Sequence, residues 1–131
     1  MNLERQLDME HENLVKFFDY MSDMDDPYRD QDLEDCIRNE GSLGIDVIME
    51  NLQLNRYLKD SIWLCQRLEL KQAIPLIKPH LESTNETVSI AAAIALTKLG
   101  DEVGLLRLKE MCQSGKVPID WLPIYGLSHL I

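Results

Sequence analysis

The sequence predicts an all-α fold: a short solenoid of αα-hairpins, with one longer helix in front and a short cap behind. Gly and Pro are few, six and five in 131 residues, which favours helices over a turn-rich sandwich. Apolar residues at 88, 92, 95, 96 and 99 recur with helical spacing. The same layout returns at intervals near 30 residues, the signature of stacked helix pairs. The length fits one domain, 1–131, large enough to fold without a metal or disulfide staple.

The first element is a helix over 2–24, with Leu7, Leu14, Phe17, Phe18 and Met21 near one face. Asp25-Asp26-Pro27 stops it, because proline disfavours helix at the residue before it. Repeat-like units follow at about 32–54, 61–83 and 87–114. In the last, Ala91, Ala92, Ala93 and Ala95 let a neighbouring helix approach, Gly100 is a C′ stop, and Asp101 is the N-cap of the next helix. Leu64, Leu68, Ile74, Ile77 and Leu81 fall opposite Ala95, Leu99, Leu105, Leu108 and Cys112 at a shift of 31. Leu33, Cys36, Ile45, Ile48 and Leu52 fall opposite Ile62, Cys65, Ile74, Ile77 and Leu81 at a shift of 29. Residues 117–131, apolar and holding Pro118, Trp121, Pro123 and Tyr125, are expected to cap the last unit. Trp63 is expected in the core, with at least one of Phe17 and Phe18.

The stretch from 90, IAAAIALTKLGDEVGLLRL, resembles the short HEAT-like repeat named after phycobilisome lyases, with an Ala-rich helix, Leu-Gly-Asp at the turn and a Leu-rich helix. The resemblance is close over 87–112 and looser over 60–83. It implies a short right-handed solenoid of HEAT-like αα-hairpins and leaves function open, since such repeats serve as scaffolds, lyases, binding modules and inhibitors.

Charge is unevenly placed. Of the net −10, residues 1–50 hold fifteen acids against four bases, and residues 51–131 eight against nine. Such a sector repels nucleic acid and anionic lipid and attracts a basic protein. The charged N-terminus is unlike a signal peptide, and no stretch has the roughly 20 apolar residues of a membrane span, so a cytoplasmic location is expected. Cys36, Cys65 and Cys112 are scattered without a CxxC pair and are expected to be buried, inert thiols.

No pattern for catalysis, cofactor or metal is found, and none of the three is expected. DMDDPYRDQDLE from Asp23 has the outline of a calcium loop, but Tyr28 replaces the glycine of its sharp turn, Pro27 a ligand, and Arg29 would oppose the cation. His11-Glu12 begins like a zinc protease motif but has Val15 where the second histidine belongs. The six glycines form no phosphate-cradling loop. What remains is an exposed anionic surface of Asp19, Asp23, Asp25, Asp26, Asp30, Asp32, Glu34 and Asp35, with Tyr20 and Tyr28 inside it as contact residues.

Small, acidic and helical is also the general description of immunity proteins from bacterial contact-dependent inhibition and polymorphic toxin systems, some built from HEAT-like repeats. That similarity implies a non-catalytic inhibitor of a basic, nuclease-type toxin, with no nucleic-acid or membrane partner. The alternatives are a general HEAT-like adaptor that holds a protein in a groove lined by the second helices, around 45–53, 74–83 and 103–113, and a bilin-lyase-like enzyme.

Overall fold

A computed structural model of the chain describes residues 3–130, with side chains from Glu10 to Leu130. Among the described residues the fold is all helical, without a strand. The expected helix start at Asn2, the side chain of Leu7 and the final cap residue Ile131 lie outside the described residues. The helices are α1 (Leu3–Ser22), α2 (Arg29–Glu40), α3 (Ser42–Gln53), α4 (Leu58–Arg67), α5 (Ile74–Ile77), α6 (Glu86–Lys98) and α7 (Glu102–Gln113). Turns of 3₁₀ helix flank α5 at Lys71–Ala73 and Lys78–Glu82, and two more form the C-terminal segment at Ile119–Tyr125 and Ser128–Leu130. The chain divides into two compact units, Met1–Leu64 and Cys65–Ile131, with the boundary inside α4.

In the first unit α1 packs on α2 and α3, and α2 packs on α3. Leu14, Phe18, Met21, Leu33, Ile37, Val47, Ile48, Leu52 and Ile62 are buried there. In the second unit α6 packs on α7 and on the helical run before it. Its core holds Ile77, Leu81, Ala92, Ala93, Ala95, Leu96, Leu108, Val117, Leu122 and Leu127. This neighbour-on-neighbour packing is consistent with a solenoid-like repeat.

Local conformation follows the expected register. Ile48, Ile77 and Leu108 are all buried, and Ile45, Ile74 and Leu105 are all half-buried. α6 ends in a Schellman stop: the Asp101 N–H donates to the Leu96 carbonyl at 2.9 Å and that of Gly100 to Thr97 at 3.1 Å, with Gly100 at φ +89°. Thirty-one residues earlier α4 ends identically, Leu70 donating to Cys65 at 2.9 Å and Glu69 to Gln66 at 3.3 Å, with Glu69 at φ +56° in the glycine's place. Asp101 then caps α7, its Oδ2 accepting the Gly104 N–H at 3.0 Å.

A second register position is held by small residues only: Gly44, Ala73 and Gly104. A Cβ on Gly44 would lie 2.6 Å from the Ile37 carbonyl oxygen, and one on Gly104 2.3 Å from the Leu96 Cβ. In α2–α3 and α6–α7 the first turn of the second helix therefore runs against the end of the first.

Three expectations need correction. The second helix of the middle unit is one turn of α-helix between 3₁₀ turns, because Pro75 and Pro79 supply no N–H for a continuous ladder. Trp63 is half-buried, with Leu64 and Cys65 in the buried positions beside it; of the phenylalanine pair, Phe18 is in the core as expected of at least one of the two. Cys36 and Cys112 are also half-buried, leaving Cys65 as the fully buried thiol.

Candidate functional site

The acidic stretch runs from the last turn of α1, through the loop at 23–28, into α2, all within the first unit. Ser22 Oγ donates to the Asp19 carbonyl at 2.7 Å as α1 ends, and the Met24 N–H reaches the Met21 carbonyl at 3.2 Å. Asp26 then builds the turn that starts α2. Its Oδ1 accepts the Tyr28 N–H at 2.8 Å and its carbonyl the Arg29 N–H at 3.0 Å. Asp30 and Asp32 lie in the first turn of α2, where the helix dipole favours carboxylates.

The ten residues read from the sequence as the contact surface divide into four groups. Asp23, Asp25 and Asp32 are exposed and make no ion pair among the described residues. Tyr20 and Tyr28 are 65% and 71% exposed. Asp19, Asp26, Asp30 and Asp35 are exposed but engaged: Asp19 accepts the Tyr57 hydroxyl at 3.2 Å, Asp26 holds its turn, Asp30 pairs with Arg29 at 2.7 Å, and Asp35 accepts from Gln31 at 2.9 Å. Glu34 does not belong to an exposed surface. It is only 4% exposed and pairs with Arg38 at 2.9 Å, because its register places it on the inward face of α2 with Leu33 and Ile37.

Sequence reasoning missed the residues that fasten this stretch. Arg29 Nε donates to the Met21 carbonyl at 2.7 Å, NH1 to Asp30 at 2.7 Å and NH2 to Asp60 of α4 at 2.5 Å. The hydrogen bond to Asp60, opposed by burial and helped by the charges of Asp60 and Asp30, pushes the guanidinium above its ordinary value. A usable signal existed: Arg29 is the one base between Lys16 and Arg38. Tyr57, at φ +49°, stacks on Phe18 with ring centroids 5.9 Å apart. Burial, and then its bond to Asp19, pushes its hydroxyl up. Nothing in the sequence around Tyr57 marks that backbone position.

A polar network ties α1 to α3 further along. His11 Nε2 lies 2.8 Å from Glu50 Oε2, and Arg56 NH2 donates to Glu50 Oε1 at 2.5 Å. Arg56 Nε reaches Asn51 Oδ1 at 2.6 Å, and the buried Asn51 amide donates to Ser61 Oγ at 3.1 Å. Burial works against ionisation of Glu50, but the bonds from Arg56 and His11 outweigh it and hold the carboxyl below its ordinary value. His11 is thus an internal tie of the first unit.

Chemistry elsewhere is sparse. Among the described residues no three His, Cys, Asp or Glu side chains converge in a way that could hold a metal ion. Burial pushes the Cys65 thiol up to about 12, so it carries almost no thiolate at neutral pH. Burial, and then Glu40, also raises Cys36. In the second unit a half-open cavity of about 290 Å³ is lined by Leu108, Cys112, Ile119, Leu122 and Leu130, with Lys109 and Gln113 its polar members. No helix among the described residues is long and apolar enough to cross a membrane. No model of a known family, no curated protein and no solved structure matches the chain.

Proposed function

We propose that the chain is a non-catalytic, HEAT-like immunity protein that binds and neutralises a basic, nuclease-type toxin in the cytoplasm through the acidic stretch. One observation carries the reading. Asp23, Asp25 and Asp32 stand exposed and unpaired among the described residues beside exposed Tyr20 and Tyr28, while the single base of the stretch, Arg29, is turned inward. A nuclease must be cationic to hold a phosphate backbone, so uncompensated carboxylates complement the surface that its inhibitor has to cover. The two tyrosines add rigid contact area with a polar tip. Favourable steering raises association rates to about 10⁸ M⁻¹s⁻¹ or more, which suits an inhibitor that must act before the toxin cuts.

The test is recovery of the partner from source cells on the tagged chain, followed by stopped-flow association with the wild type and with the triple variant Asp23→Lys, Asp25→Lys, Asp32→Lys. The expected partner is basic, degrades nucleic acid alone and stops doing so when the chain is added. The variant should associate about tenfold or more slowly. A partner that is not cationic, or equal kinetics for the two proteins, would overturn the reading. A second reading, an adaptor that holds a protein partner, draws on Val103 and Leu106, which are exposed on α7.

A further inference from the structure

We infer that Arg29 is a positioning residue that latches the acidic loop 23–28 into one shape before any partner arrives, through its simultaneous bonds to the Met21 carbonyl and to Asp60. The link to a partner rests on the contact-surface reading above; the latch itself rests on geometry alone.

Three segments meet at this one side chain. Nε caps the end of α1 at Met21, and NH1 and NH2 reach Asp30 in the first turn of α2 and Asp60 in the first turn of α4. The Arg29 and Asp60 side chains are 16% and 12% exposed, so the pair is sheltered from screening in a way that a surface bridge is not. Among the described residues the other fastenings of the segment between Met21 and Arg29 are local: the Met24, Tyr28 and Arg29 N–H bonds to Met21 and Asp26, and at its two edges the Ser22 hydroxyl on the Asp19 carbonyl and the Asp32 N–H on the Tyr28 carbonyl. Pinning both ends of a segment this short leaves it little freedom. A planar guanidinium presents its N–H groups in a fixed fork that serves the carbonyl and the carboxylates together, whereas an ammonium on a flexible stem gathers its donors at one point and holds such separated acceptors less well. Turning Arg29 inward also keeps it from neutralising Asp23, Asp25 and Asp32. A partner then meets carboxylates that are already arranged and does not bear the cost of ordering them.

Amide hydrogen exchange on the full chain tests the latch with Arg29→Ala, Arg29→Lys and Asp60→Asn. The latch predicts exchange at Met24 and Tyr28 about tenfold faster or more in Arg29→Ala, an intermediate value in Arg29→Lys, and amides of α6 and α7 unchanged. Loop exchange equal to wild type overturns it, as does a uniform acceleration through the chain, which would make Arg29 a general structural residue. If Arg29→Ala does not fold, the shape-preserving Asp60→Asn carries the same test.

Binding of a deca-arginine peptide at low salt then separates shape from charge. Arg29→Ala makes the chain more negative, so charge alone predicts tighter binding, whereas a lost latch predicts binding about threefold to tenfold weaker. Tighter binding overturns the positioning role. A peptide that ignores the wild-type chain while the loop exchange behaves as predicted removes the contact-surface reading and leaves the latch in place.

Discussion

Glu69 sits where the following unit has Gly100, in a left-handed conformation at φ +56° that disfavours any side chain with a Cβ. Its side chain is exposed, so little is lost by removing it. Relief of about 1 kcal/mol of backbone strain exceeds the roughly 0.4–1 kcal/mol that glycine costs through the unfolded chain. Glu69→Gly should therefore stabilise the protein by up to about 0.5 kcal/mol, read as a higher urea midpoint at unchanged slope. A lower midpoint would mean that the side chain holds something at this position. Glu50 gives a residue-scale pH dependence. Its carboxyl is held below its ordinary value in the folded chain, so its contribution to stability is complete above the unfolded value, about 4.5, and fades as pH falls through the lower folded value. Glu50→Gln should lower the urea midpoint at pH 7, and the gap to wild type should close as the pH is taken below about 4.5 and through the lower folded value. A gap that stays constant over that range would show that ionisation of Glu50 contributes nothing.

The α6–α7 hairpin shows what the elements ask of their residues. Ala92, Ala93 and Ala95 are fully buried, and Gly104 sits so close to Leu96 that a Cβ has no room. Alanine in mid-helix is normally better than glycine by about 1 kcal/mol, and here the clash should reverse the sign. Ala92→Leu, Ala95→Leu and Gly104→Ala should each destabilise by about 1–3 kcal/mol in urea unfolding. A neutral Gly104→Ala would show that the helices can part at little cost. This hairpin was legible in the sequence because its signals are local: periodic apolar residues, a C′ glycine and a capping aspartate within 28 positions, 87–114. The middle unit was legible only as a register, since Pro75 and Pro79 break its second helix in a way that apolar spacing does not report. At the acidic stretch the exposed Asp23, Asp25 and Tyr28 were readable from their turn-forming neighbours. Glu34 was not, because residue type suggested solvent while its register beside Leu33 and Ile37 put it inside. The bond between Arg29 and Asp60 spans 31 positions, and no periodic pattern encodes such a pair.

At the scale of the whole molecule the charge asymmetry of the sequence follows the division into two units. Met1–Leu64 carries sixteen acids against six bases, and Cys65–Ile131 carries seven of each. All of the net −10 therefore resides in the first unit. Like charges repel within a compact body and lower its stability, and salt screens that repulsion. The screening length shrinks from about 30 Å at 0.01 M ionic strength to about 3 Å at 1 M, about the length of a single ion-pair contact. Added sodium chloride should therefore slow amide exchange in α2 and α3 and leave α6 and α7 nearly unchanged, with no partner present. The sheltered Arg29–Asp60 pair opposes this trend only weakly, because screening acts least where solvent is excluded. Equal protection of both units by salt would indicate a general solvent effect on burial. Loss of protection in the first unit would mean that its ion pairs outweigh its self-repulsion, and that its carboxylates are neutralised within the fold and not held ready for a cationic surface.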